Sequence, residues 1–193
     1  MKNICKILLI LSLASCSQKY KNPHVVIKTK FGEIELELYP DQAPKSVAAF
    51  LENIDAGYYE NSSFYRVLSR DNQPSDADKT ELIQGGIWRA KNKRDINRAG
   101  IPHETTAQTK VLHKDGVISF ARLEPGTATT EFFICIDDQP SLDFGSNSNP
   151  DKQGYAAFGK VVKGMNIVRR IHNQNADEQS FDPPVDIYKI VQL

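Results

Sequence analysis

Three short segments mix residue types that can do chemistry together: Ser63-Phe64-Tyr65-Arg66-Val67, Leu82-Ile83-Gln84-Gly85-Gly86 and Thr130-Glu131-Phe132-Phe133-Ile134-Cys135. On an extended chain alternate residues share a face. Phe64 then falls with Arg66, Leu82 with Gln84, and Glu131 with Phe133. One surface would carry a cation, an amide, a carboxylate and aromatic walls together. The competing reading is structural, because an arginine on a sheet exterior is usually solvated and neighbouring phenylalanines usually belong to a core.

Other chemistries find less support. His24, His103, His113 and His172 lack the close spacing of ligand pairs, and Cys135 stands alone in a hydrophobic run, so structural roles outweigh metal ligation. No serine sits in a Gly-x-Ser-x-Gly elbow. Asp71, Asp76, Asp78 and Glu81 form an acidic stretch without the glycine that a calcium loop needs, and Glu33, Glu35 and Glu37 read as the solvated face of a strand. No metal and no cofactor is expected. With 24 Lys+Arg against 24 Asp+Glu and no basic run, the chain lacks the concentrated positive field of a nucleic-acid binder.

The elements that would position these residues can be read from pattern. The 193 residues, 40% of them hydrophobic, suffice for one globular domain with a real core. Residues 24–39 alternate twice around Lys30-Phe31-Gly32, the mark of a half-buried hairpin. Pro44 opens a helical pattern of Val47, Phe50, Leu51 and Ile54 that stops at Gly57, and Met165, Ile167, Val168 and Ile171 suggest a second helix. Short strands are expected at 63–68, 82–84, 116–121, 131–137, 155–162 and 185–191. Many short strands with two distant helices point to a mainly β fold, a closed antiparallel barrel capped by two α-helices. Residues 69–81, 89–114 and 140–154 read as long loops, a setting in which function concentrates.

The first residues read differently. Lys2 and Lys6 precede an apolar stretch at 7–13, too short for the ~20 residues that span a bilayer. Leu13-Ala14-Ser15-Cys16 follows and resembles a bacterial lipobox. The reading is a signal peptide at 1–15, lipidation at Cys16, a polar tether at 16–23 and one domain at 24–193. A plain signal peptide is the alternative. With Cys5 removed and Cys16 acylated, Cys135 has no disulfide partner. The protein is expected in a bacterial cell envelope as a monomer, held in the membrane by its lipid. Ser17, which is not the aspartate associated with inner-membrane retention, favours the outer membrane facing the periplasm.

Several phrases in order carry a resemblance. Ala43-Pro44-Lys45-Ser46-Val47-Ala48-Ala49-Phe50-Leu51 runs into Gly57-Tyr58-Tyr59, then come Phe64-Tyr65-Arg66-Val67 and Ile83-Gln84-Gly85-Gly86. Gly116-Val117-Ile118-Ser119-Phe120-Ala121, Glu131-Phe132-Phe133-Ile134 and Ala157-Phe158-Gly159-Lys160-Val161-Val162-Lys163-Gly164-Met165 follow. From Val25 onward the chain resembles the cyclophilin family of peptidyl-prolyl cis-trans isomerases. The resemblance implies an eight-stranded barrel with a helix closing each end. It implies that Arg66 is the catalytic arginine and Gln84 the glutamine beside it. Leu82, Phe133, Leu142 and Tyr155 would build the proline pocket, with Ala121 where the preceding substrate residues run. Phe64, Arg122 and Glu131 complete the candidate substrate-binding set. Partners would be proline-containing polypeptides.

The sequence also departs from the family pattern. Residues 69–80 are inserted between Arg66 and Gln84, and Glu81 stands where an aromatic wall residue is common, so a pocket more open on that side is expected. Glu131 replaces a glutamine and is expected to pair with Arg66 or Arg122. Ser141 stands where cyclosporin-sensitive members have tryptophan, which implies weak cyclosporin binding, and Tyr155 replaces a frequent histidine. These departures keep open a competing reading, a proline-peptide-binding module with little turnover.

Overall fold

In the computed structural model, which describes residues 20–76, 78–90 and 99–193, the first alternating run folds as β1 (His24–Thr29) and β2 (Gly32–Leu38). The two pair antiparallel from His24↔Glu37 to Thr29↔Gly32. Val25, Ile27, Ile34, Leu36 and Leu38 point inward, as period-two alternation demands. Glu35 departs from the expected solvated face: it is buried, and its carboxylate is held by His24 Nδ1 and Lys163 Nζ, each at 2.8 Å. The expected signal peptide, Cys16 and the first part of the expected tether lie outside the described residues.

Pro44 opens α1 (Pro44–Asp55), whose apolar stripe of Val47, Phe50 and Ile54 is buried. The first-turn N–H groups that a helix cannot satisfy itself donate to Glu104, from Lys45 N at 3.1 Å and Ser46 N at 2.8 Å. Phe50 thereby meets Tyr59, Phe120, Phe132 and Phe158 at one end of the barrel.

The remaining elements are β3 (Ser62–Leu68), β4 (Leu82–Gly86), α2 (Thr106–Thr109), β5 (Val117–Phe120), β6 (Phe132–Cys135), β7 (Ala156–Lys163), α3 (Met165–His172), β8 (Ala176–Asp177) and β9 (Ser180–Gln192). Strand order is β1-β2-β7-β5-β6-β4-β3-β9, and β1 pairs β9 to close the ring. β8 is a two-residue partner of β9 outside it. The fold is the expected closed eight-stranded antiparallel barrel. It carries one helix more than expected, the single turn α2 within the 89–114 loop. The last strand starts five residues before the expected 185, because Pro183 and Pro184 hide the pattern of a strand.

Candidate active site

Arg66 and Gln84 lie opposite one another on β3 and β4. The register pairs Phe64 with Gly85 and Arg66 with Gln84, so Tyr65 is one residue too many on β3. Such a bulge breaks the alternation of side chains. Phe64 turns inward at 0% exposure and packs edge-on against Phe132, while Arg66 stays half-buried on the outer face. The expected shared face of Phe64 and Arg66 is therefore corrected: Phe64 belongs to the core and does not line the cleft described next.

The guanidinium is held by two amides. Arg66 Nε and Nη2 donate to Gln179 Oε1 at 3.2 and 2.7 Å, and Nη1 donates to Gln84 Oε1 at 3.2 Å. Gln179, in the turn joining β8 to β9, is itself fixed by donating to Asn72 O at 3.2 Å. Arginine has five N–H donors, so among the described residues two remain beyond these amides. Beside them, Leu82, Phe133, Cys135 and Leu142 form a buried apolar cluster with Leu68, Ala121 and Tyr155 packed against it. Together with Arg66, Gln84 and Arg122, these residues other than the fully buried Cys135 bound a cleft of about 320 Å³. Burial pushes the Cys135 thiol well above its usual range.

Phe133 is braced from behind. Its ring stacks on His113 with centroids 6.0 Å apart and meets Tyr155 edge-on at 5.3 Å. His113 Nδ1 bonds Asp143 Oδ1 at 2.7 Å and its Nε2 bonds Ser119 Oγ at 2.8 Å. This aligns a serine, a histidine and an aspartate, but Ser119 is 0% exposed and no substrate atom can reach it. The trio is a support for the pocket floor, consistent with the structural role expected of His113.

Arg122 lines the cleft and is held within its wall. Its guanidinium makes a two-pronged pair with Asp151 at 2.7 and 3.0 Å and donates to Gly154 O, leaving the side chain 3% exposed. It lies over the Tyr155 ring, 5.3 Å from the centroid. The pair with Arg122 holds the Asp151 carboxyl below the usual carboxylate range.

The insertion reverses one expectation. Asp78 and Thr80 line the cleft, Ser148 Oγ donates to Asp78 Oδ2 at 2.8 Å, and Thr80 Oγ1 meets Ser141 Oγ at 3.4 Å. That side is walled by the insertion, not opened. Glu81 is taken by Arg70 at 3.1 Å. Leu123, 89% exposed, stands on the rim with no motif to mark it.

Glu131 is the second correction. It pairs with neither Arg66 nor Arg122. Its Oε1 accepts from Ile87 N at 2.9 Å and Thr130 Oγ1 at 3.1 Å, and it lies outside the cleft. Burial raises the carboxyl above its ordinary range, with donors including Tyr65 acting against that shift. The cause is position: Glu131 lies just before β6, two residues from Phe133, where the neighbouring backbone is Gly86 and Ile87.

A closed antiparallel barrel with an apolar slot on its outer face, and a braced guanidinium at the slot's mouth, defines the class. Residues 24–192 match the family model for the cyclophilin type peptidyl-prolyl cis-trans isomerase, and the chain belongs to that family. It is 32% identical over 172 residues to peptidyl-prolyl cis-trans isomerase A of Dickeya dadantii, covering 87% of this chain and 82% of that protein. It is 34% identical over 153 residues to a peptidyl-prolyl cis-trans isomerase of Acinetobacter baylyi, covering 79% and 73%. A cyclophilin-type isomerase of Cryptosporidium parvum shares the fold, with a TM-score of 0.69 at 24% identity over 89% of this chain and 97% of that one. With family membership comes the activity, peptidyl-prolyl cis-trans isomerisation.

Proposed function

We propose that this isomerase acts on X-Pro bonds of cell-envelope proteins, tethered through lipid on Cys16, with Arg66 stabilising the twisted imide. A prolyl bond isomerises by losing amide resonance, across a barrier of ~18–20 kcal/mol. No covalent step is needed. The apolar slot of Leu82, Phe133 and Leu142 would hold the ring still while the other side of the bond rotates. The N–H groups of Arg66 that neither glutamine takes would favour the state in which the proline nitrogen regains its lone pair. A gain of about 10⁴–10⁵-fold corresponds to roughly 5–7 kcal/mol of preferential stabilisation.

The single observation behind this reading is the guanidinium fixed from two sides at the mouth of the slot. With Glu81 held by Arg70 and Glu131 turned from the guanidinium, the binding-only reading loses the residues that motivated it. NMR exchange on a short Ala-Pro peptide is the test. Accelerated interconversion that vanishes in Arg66→Ala supports the proposal, and acceleration that survives the substitution refutes it. For the tether, palmitate labelling of the full chain should disappear in Cys16→Ala, and labelling that persists rules out a lipid on Cys16.

A further inference from the structure

We infer that Asn72, carried by the inserted segment 69–80, is a positioning residue for Arg66, acting through Gln179. The inference rests on the proposed catalytic role of Arg66 and gives the insertion a part in it. Every link is a hydrogen bond. Arg66 Nε and Nη2 donate to Gln179 Oε1 at 3.2 and 2.7 Å, and Gln179 Nε2 donates to the backbone oxygen of Asn72 at 3.2 Å.

A guanidinium only donates, so Gln179 can serve it only with its carbonyl oxygen turned toward Arg66. The N–H groups of the same amide then point away, and in a half-buried setting they need an acceptor. Asn72 O is that acceptor. With it displaced, nothing opposes the flipped amide, which sets N–H against N–H and leaves Arg66 with Gln84 as its remaining amide brace.

The backbone oxygen of Asn72 is placed by the side chain of the same residue. Arg70–Asn72 form one 3-10 turn, too short to hold its own position. Asn72 Nδ2 donates outside that turn, to Val67 O at 3.1 Å and to Glu178 O at 3.0 Å, while Oδ1 accepts from Ser69 N at 2.8 Å. One amide thus fastens the insertion both to the strand that carries Arg66 and to the turn that carries Gln179. That turn needs holding, because Glu178 has a left-handed φ of +51°, which is costly for a residue with a Cβ. The neighbouring amide has a different task. Gln73 Nε2 donates to Ser69 O and Thr80 O and its Oε1 accepts from Thr80 N, so it fixes the part of the insertion that walls the cleft.

The test measures kcat and KM for an Ala-Pro peptide, and the Arg66 Nε–Hε resonance, in full-chain Asn72→Ala, Asn72→Asp, Gln73→Ala and Gln179→Leu. Folding is checked by amide spectra. Asn72→Ala should lower kcat about fivefold with KM within about twofold, a loss of about 1 kcal/mol at the transition state, and should shift the Arg66 resonance. Asn72→Asp keeps the size and the acceptor for Ser69 N but, when ionised, has no donor for Val67 O or Glu178 O. It should match Asn72→Ala, and it keeps the test open if that variant fails to fold. Gln73→Ala should raise KM and leave the Arg66 resonance in place. Asn72→Ala combined with Gln179→Leu should be no worse than Gln179→Leu alone, as expected for residues in one network. An unchanged kcat and Arg66 resonance in folded Asn72→Ala or Asn72→Asp would overturn the inference, as would additive losses in the double variant. An equal shift of the Arg66 resonance in Gln73→Ala would also overturn it, by showing a general loosening of the insertion. Arg66→Ala separates the two layers: if it retains wild-type kcat, the catalytic role of Arg66 fails, whereas a loss there with no effect at Asn72 removes only the positioning role.

Discussion

A single carbonyl oxygen of Gln179 accepts from both Nε and Nη2 of Arg66, at 3.2 and 2.7 Å, across 113 residues of sequence. This fork turns a flexible cationic side chain into a directed donor. Replacing Gln179 with leucine should therefore lower kcat about tenfold while leaving peptide affinity nearly intact, since the slot itself is untouched. Saturation kinetics on an X-Pro peptide reads the split.

Arg66→Lys keeps the charge and loses the fork. A lysine ammonium cannot satisfy Gln84 and Gln179 in one plane while directing a further donor at the slot. Its kcat/KM should fall about a hundredfold, close to that of Arg66→Ala. Retention of more than a third of the wild-type value would show that charge alone suffices.

The floor of the slot depends on a residue no substrate touches. His113→Ala leaves Ser119 and Asp143 without their shared partner and opens space behind Phe133. The expected cost is about 2–4 kcal/mol in urea unfolding. His113→Ala should also raise KM more than it lowers kcat, because the ring clamp loosens while Arg66 stays braced.

Asp151→Ala frees Arg122 from its pair and removes the brace over Tyr155. The wall formed by Tyr155 should then move, raising KM severalfold with little change in kcat. Titration of peptide followed by the Tyr155 ring resonances checks it.

Glu131 sets a pH dependence of stability. Burial raises its carboxyl above the ordinary value of 4.5, so the folded state binds more protons than the unfolded state between the two values. Its contribution is fully present below the unfolded pKa and is lost as pH rises through the folded pKa. Urea midpoints measured from pH 4 to 8 should fall with rising pH in the wild type relative to Glu131→Gln. Parallel curves for the two proteins would contradict this.

Much of the architecture is legible in the residues themselves. The Glu33–Leu38 alternation, the Val47-Phe50-Ile54 stripe and the ordered phrases around Arg66, Gln84 and Phe133 lead to the barrel and to the neighbourhood of the cleft. What escapes is of two physical kinds. The bulge at Tyr65 carries no glycine or other local mark, so strict alternation puts Phe64 on the wrong side. Gln179, Glu104 and Asp143 act across long sequence separations on a guanidinium, a helix end and a buried imidazole. Polar residues of that type are common in turns, and only the closed fold reveals their partners.

β9 pairs with both β1 and β3, and so it is the stave that completes the ring on either side. A nascent chain lacking it would present two raw sheet margins, each able to recruit a stranger's strand. Truncation near the C-terminus should accordingly yield a sticky, insoluble polypeptide and not a smaller working catalyst.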